Sequence, residues 1–331
     1  MKNKEYSFKI GEIESLLSDF NAKGITELVI HDDSFSENKQ KIIRLLKSIE
    51  EKAPNLFVSL KINPKILDFE IINQISKINC SLEMPFSSCQ KQNGPYLFDK
   101  KFYSKKCNLL NNNGLVFGIS LNYANTSVDT FKFFKDRIDF SVEQYPNHID
   151  FPQIESVELS QSAKVSGIFS AEEIRFARNI AFACKTFYSS GRAVPWFMSV
   201  LHALKIQPSK FFADFAEWQK VNNCDFTSGF VPEDCNHKEI EKMQLLFLSM
   251  KFEEKNKSEL IPVVNDIVKL NGAFSRLVGE GEESTIVTKY NPDDLLGPES
   301  MDLTLFNNNV CMENCNVKVF LTDEGPDYKI I

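Results

Sequence analysis

Apolar residues in the first 145 positions alternate between two spacings. Within residues 12–23 they recur at i, i+3, i+4 and i+7, which is typical of an amphipathic helix, and Gly24 follows as a helix-terminating glycine. Residues 25–30 form a short apolar run, which indicates a strand. The predicted helices are residues 12–23, 37–52, 69–78, 100–112 and 126–137, and the predicted strands are residues 25–30, 56–62, 80–84, 115–121 and 138–143. This order predicts parallel β/α units with right-handed crossovers.

The pattern changes after Tyr145, where Pro146 and Pro152 flank a loop. Helical spacing then dominates, and short strands follow near residues 285–290 and 316–322. The predicted helices of this half are residues 171–189, 195–204, 209–221, 238–254 and 259–270. We therefore predict two domains, residues 1–150 and 151–331. The aromatic residues Phe211, Phe212, Phe215 and Trp218 have helical spacing, which favours a core face over a cofactor site.

Composition and charge narrow the class of protein. The hydrophobic fraction of 43% and the charged fraction of 25% are typical of globular proteins. The net charge of −7 disfavours a nucleic-acid surface, and the lysine-rich stretches have the spacing of solvated helix faces. No apolar run has the length of a membrane span, and the first residues lack the apolar core of a signal peptide. These features predict a cytoplasmic protein with reduced thiols and no membrane partner; they do not predict an oligomeric state.

Candidate chemistry lies where the predicted strands end, because parallel β/α folds form their sites at the carboxyl ends of the strands. The polar residues at these positions are His31, Asp32, Asp33, Lys61, Asn63, Glu83, Ser87, Ser88, Asn122, Glu143 and Gln144. Together they predict a ring of side chains able to bind a small polar molecule. The alternative is that they are ordinary loop residues and helix caps, as Asp33 or Ser36 would be. His31 is the histidine predicted at a strand end and is the candidate acid/base group.

The order of three segments resembles the barrel of the radical SAM superfamily, in particular its cobalamin-dependent branch. Residues 24–35, with Asp32-Asp33 after the apolar run, resemble the second strand of that barrel. Residues 60–68 resemble the third strand, and residues 80–88, with Glu83 followed by serines, resemble the fourth. A weaker similarity covers residues 181–197, in a helical region after the barrel.

The resemblance implies an α/β fold: a partial parallel (β/α) barrel followed by a mostly helical α+β domain. It implies that S-adenosylmethionine binds at the carboxyl ends of the strands. Carried over residue by residue, Asp32 and Asp33 would meet its amino group, and Glu83 and Ser87 would approach its ribose or carboxylate. A [4Fe–4S] cluster, and with it cobalamin, would belong to a segment preceding this chain.

One feature departs from the family, because the Cys-x3-Cys-x2-Cys motif of the cluster is absent and the first cysteine is Cys80. The absence leaves three hypotheses open. The chain is part of a longer radical SAM enzyme whose cluster segment lies upstream, or a catalytically silent barrel that binds a small molecule or a protein. The third is an unrelated enzyme that uses His31 with Asp32 or Glu83 as an acid/base pair. A zinc site is a separate alternative; its ligands would be Cys224, Cys235, His237, Cys311 and Cys315.

Overall fold

A computed structural model describes residues 10–30, 37–86, 98–124, 129–152 and 169–331. The chain divides into two compact units. Unit 1 comprises Met1–Asn122 and Gln144–Asp150, and unit 2 comprises Tyr123–Glu143 and Phe151–Ile331. The domain boundary near residue 150 that the sequence suggests stays a prediction.

Unit 1 alternates helices with the strands of one parallel sheet. Its elements are α1 (Ile10–Ala22), β1 (Glu27–Ile30), α2 (Lys39–Lys52), β2 (Phe57–Lys61), α3 (Phe69–Ile75), β3 (Cys80–Pro85), α4 (Lys100–Asn111), β4 (Val116–Ser120) and β5 (His148–Asp150). The helices form where the sequence places an apolar stripe behind a capping residue. In α2, for example, the side chain of Asn38 accepts a hydrogen bond from the backbone of Lys41, and Leu45, Leu46 and Ile49 are fully buried.

The five strands pair in sequence order, β1-β2-β3-β4-β5, and every pair is parallel. Side chains alternate between the two faces of the sheet. One face is core, with Val58, Leu60, Leu82, Met84, Phe117, Ile119 and Ile149 each 1% exposed or less. The predicted α/β class and parallel sheet are therefore confirmed. Among the described strands β1 and β5 do not pair, so the sheet is open and a barrel stays a prediction.

The fifth strand was predicted in the wrong place. Residues predicted as a strand, 138–143, lie almost entirely in a helix of unit 2, α5 (Phe131–Val142). Phe134, Ile138 and Val142 are fully buried at i, i+4 and i+8, and the additional burial of Phe140 on another side of the helix gives an apolar run that resembles a strand. The true strand, β5, has only three residues, His148-Ile149-Asp150, which is too short for a periodic pattern.

Unit 2 is mostly helical. After α5 its elements are α6 (Ala171–Cys184), α7 (Phe197–Leu204), α8 (Pro208–Val221), α9 (His237–Glu254), α10 (Ile261–Glu280), β6 (Ser284–Thr288), α11 (Pro292–Leu296), α12 (Leu303–Asn309), β7 (Cys315–Thr322) and β8 (Gly325–Ile330). Strands β6, β7 and β8 form an antiparallel sheet in that order. The helices followed by short strands agree with the predicted α+β character of this half.

Aromatic rings fill the core between the helices of unit 2. The ring of Phe187 lies 4.9–6.2 Å, between centroids, from five others: Trp196, Phe197, Phe211, Phe215 and Phe247. Phe187 lies in a π-helical turn, Lys185–Ser190, and Gln244 donates hydrogen bonds to the carbonyls of Phe187 and Gly191, 2.8 and 2.9 Å away. The predicted core role of Phe211, Phe212 and Phe215 is confirmed, since all three are fully buried.

Within the described ranges, no helix combines the length and the apolar character needed to cross a membrane.

Candidate functional site

The second face of the parallel sheet carries a row of residues that runs across four strands. The pairing places Lys61 of β2 beside Glu83 of β3, Glu83 beside Gly118 of β4, and Gly118 beside His148 of β5. We call these four residues the transverse row. Neighbouring strands are about 4.8 Å apart, so the row is roughly 14 Å long. The row is at the carboxyl end of β2, near the middle of β3 and β4, and at the first residue of β5, so it crosses the central part of the sheet.

Gly118 allows the side chain of His148 to extend over β4 towards Glu83. A β-carbon at this position would lie 2.0 Å from Nε2 of His148, so the imidazole occupies the space that a side chain on β4 would fill. The ring therefore extends from β5 across β4 towards Glu83 on β3. The glycine at this strand position is explained by the close approach of the ring.

His148 is also held by its own strand. Its Nε2 lies 3.1 Å from Oδ2 of Asp150, two residues further along β5 on the same face. The two side chains are 31% and 25% exposed, so both are partly buried and still accessible to a ligand. Burial lowers the pKa of His148, and the nearby Glu83 carboxylate partly offsets that effect. The imidazole is therefore neutral at pH 7.

Glu83 contributes the carboxylate of the transverse row. Among the described residues, its carboxylate makes no hydrogen bond or ion pair with another side chain. Its neighbours across the sheet are Lys61 on one side and Gly118 on the other. A half-buried carboxylate in this position can accept hydrogen bonds from a ligand, and a cationic donor would give the strongest of them.

Only part of the predicted strand-end ring can be placed. His31, Asp32, Asp33, Ser87 and Ser88 lie outside the described residues, so the binding roles of Asp32, Asp33 and Ser87 stay predictions. Lys61 and Glu83 lie side by side on the transverse row. Asn122 lies two residues beyond the end of β4.

The structure assigns other roles to three members of the predicted ring. The side chain of Asn63 accepts a hydrogen bond from the backbone of Lys65 and caps the short helix Pro64–Ile66. Glu143 caps the carboxyl end of α5 and is not at a strand end. Gln144 follows it, and its carbonyl accepts a hydrogen bond from Asn111 at 2.9 Å. Both residues were wrongly predicted as strand-end residues because the fifth strand was misplaced.

Sequence reasoning missed His148 and Asp150, which the structure places on the same face as Lys61 and Glu83. A usable signal was present: His-Ile-Asp has the polar-apolar-polar alternation of a strand with one buried face. Three residues are too few for that alternation to be recognised. The contact of His148 with Gly118 depends on strand register, which the sequence does not reveal.

The described cysteines do not fit an iron–sulfur cluster. Among the described residues, no group of three His, Cys, Asp or Glu side chains is arranged to hold a metal ion. Cys89 lies outside these residues. No step through a cluster can therefore be assigned to the described part of the chain.

The lack of such a group also argues against the zinc alternative, whose five proposed ligands all lie among the described residues. His237 has a structural environment instead. Arg276 Nη1 lies 3.2 Å from its Nδ1, and its Nε2 faces the carbonyl of Gly191 at 3.4 Å. Burial, followed by the positive charges of Arg192 and Arg276, lowers the pKa of His237 to about 4. The described contacts of His237 are thus with Arg276 and Gly191, and not with the cysteines of the zinc alternative.

We expect His237 to make unit 2 less stable in mild acid. Its pKa is 6.5 when unperturbed and about 4 when folded, so between these values the unfolded chain binds a proton that the folded chain does not. Stability is therefore lost as the pH falls through this window, by up to about 3 kcal/mol. Urea unfolding from about pH 7 to about pH 4.5 should show this slope, and His237→Gln should reduce it. The matched control is His202→Gln, at an exposed position, which should keep the slope; equal slopes in all three proteins would contradict the assignment.

Comparisons with known proteins come from structure alone. No protein-family model and no curated protein matches the sequence. Structures of the radical S-adenosylmethionine methyltransferase TsrM from Kitasatospora setae are similar to part of the chain. The one with tryptophan substrate and the analogue aza-SAM bound has a TM-score of 0.37 at 12% identity, covering 43% of this chain and 30% of that protein. The one with cobalamin and a [4Fe–4S] cluster has a TM-score of 0.34 at 11% identity, with the same coverage. A likeness at this level, over less than a third of that protein's length, carries no argument about function.

Proposed function

We propose that unit 1 binds a small polar molecule on the transverse row, and that the molecule is S-adenosylmethionine. The observation that carries the proposal is the juxtaposition of Lys61, Glu83 and His148 on one face, across Gly118. These side chains offer a cation, a carboxylate and a neutral imidazole on one face of the parallel sheet. An amino-acid ligand has a matching carboxylate and ammonium group.

The choice of S-adenosylmethionine rests on the sequence resemblance of residues 24–35, 60–68 and 80–88 to the radical SAM superfamily. Glu83 belongs both to that resemblance and to the transverse row. The proposal concerns binding, because the described cysteines do not supply the ligands of a cluster. On this account the chain would take part in radical chemistry only with a cluster bound by residues other than the described cysteines.

Isothermal titration calorimetry of the purified chain with S-adenosylmethionine tests the proposal. We expect saturable binding of one molecule per chain. Adenosine, which lacks the amino-acid group, should bind much more weakly. Absence of binding by S-adenosylmethionine, or equal binding by adenosine, would refute the proposed ligand.

A further inference from the structure

The transverse row brings a carboxylate and a histidine together with no side chain between them. Glu83 lies on β3 and His148 on β5, and the residue between them on β4 is Gly118. We infer that the site selects a ligand that places a positive charge against Glu83, and that His148 sets this selectivity. The inference rests on the proposed function and adds the chemical class of the group that Glu83 recognises.

Three charged side chains of this face lie near the transverse row among the described residues. Lys61 on β2 is positive, whereas Glu83 on β3 and Asp150 on β5 are negative. Strand β4 contributes Gly118 and Ser120, which carry no charge. With a neutral His148 the described side chains of the face thus have a net negative charge. A partly buried negative site binds a cation such as an ammonium or sulfonium group, since charge interactions strengthen away from bulk water.

The state of His148 decides whether Glu83 is available to that cation. Burial keeps the imidazole neutral at pH 7, because it lowers the pKa of His148 more than Glu83 raises it. When the pH falls, the imidazole gains a proton and becomes a positive charge that faces Glu83. This internal cation competes with the ligand for the carboxylate. We therefore expect affinity for a cationic ligand to be high at neutral pH and to decrease in acid.

The coupling can be measured without any ligand. In proton–nitrogen NMR spectra of the histidine side chains, His148 should titrate at lower pH in Glu83→Gln than in the native protein, because the favourable charge is gone. The matched control is Glu27→Gln, at an exposed position on the same face but at the amino-terminal end of β1, which should leave the titration unchanged. An unchanged titration in Glu83→Gln would refute the coupling.

The selectivity is tested with two simple probes at constant ionic strength, ethylammonium chloride and sodium acetate. We expect ethylammonium, and not acetate, to shift the amide signals of Glu83 and Gly118. Its apparent affinity should decrease as the pH is lowered from about 7.5 to about 5, because the imidazole gains a proton and becomes a competing charge. In His148→Gln the affinity should stay nearly constant over this range. A preference for acetate, or an equal decrease in His148→Gln, would overturn the inference. These probes do not include S-adenosylmethionine, so their outcome is independent of whether that particular ligand binds.

Discussion

Replacing Glu83 with glutamine is expected to weaken binding of S-adenosylmethionine by roughly tenfold to a hundredfold. The substitution keeps the shape of the side chain and removes its charge. A hydrogen bond to a charged group contributes about 1.5–3 kcal/mol, which corresponds to this loss of affinity. Calorimetric titration of Glu83→Gln and the native protein at about pH 7.5 measures the difference directly.

The same experiment needs a control for nonspecific charge effects. Glu27→Gln removes an equal charge from the same sheet face, at an exposed position at the amino-terminal end of β1. We expect it to bind S-adenosylmethionine with native affinity. We also expect Glu83→Gln to unfold at nearly the native denaturant concentration, because its carboxylate has no side-chain partner among the described residues. A native affinity in Glu83→Gln would show that this carboxylate does not contact the ligand.

Replacing Arg137 with methionine is expected to destabilise unit 2 by about 3–5 kcal/mol, because it leaves a buried carboxylate without its counter-charge. Arg137 and Asp129 are 3% and 4% exposed, and Nη2 of Arg137 donates a hydrogen bond of 2.8 Å to Oδ2 of Asp129. The same oxygen accepts a hydrogen bond from the backbone of Ala124, a residue in the left-handed region with φ 51°. The carboxylate of Asp129 therefore binds both the guanidinium of Arg137 and the backbone of Ala124. Urea unfolding at pH 7 measures the loss.

Two further variants separate the ion pair from the bulk of the side chain. Asp129→Asn combined with Arg137→Met removes both charges and should recover much of the lost stability. Arg175→Met removes an exposed arginine, 62% accessible and paired with Glu172, and should cost less than about 1 kcal/mol. Equal losses in Arg137→Met and Arg175→Met would contradict the burial of the pair.

The pH dependence of Arg137→Met has a defined sign. Burial raises the pKa of Asp129, and Arg137 opposes that rise in the native protein. Without the arginine the pKa rises further, so the folded variant takes up a proton more readily than the unfolded chain does. Lowering the pH from 7 to about 5.5 should therefore reduce the difference in free energy of unfolding between the native protein and the variant. A difference that grows in this range would show that Asp129 is not the source of the destabilisation.

The order of the first four strands and their helices could be predicted from the sequence, because each strand is apolar and each helix has an amphipathic stripe. The α2 stripe, for example, is nearly continuous from Ile42 to Ile49. The same rule failed at α5, since Ile138 and Val142 lie on a helix that is buried on more than one side. A run of apolar residues indicates that a segment is buried. Over only six residues it does not distinguish a deeply buried helix from a strand.

The candidate site was predictable only in part, for a different physical reason. Lys61 ends one recognisable strand and Glu83 lies in the second half of the next, so their place on the sheet follows from the sequence. The position of His148 depends on strand register. Its ring occupies the space that a side chain at Gly118 would fill, and Gly118 is 30 residues away along the chain. Contacts of this kind arise from strand pairing, and one sequence contains no information about which glycine faces which histidine.

The most direct test of the central claim is to locate the ligand on the sheet. Hydrogen–deuterium exchange of the native chain, with and without saturating S-adenosylmethionine, should show slower exchange around Glu83, Gly118 and His148. The first residues of β1 and β2, Glu27 and Phe57, should exchange unchanged. Protection confined to unit 2, or no protection with the ligand demonstrably bound, would contradict a binding site on the transverse row.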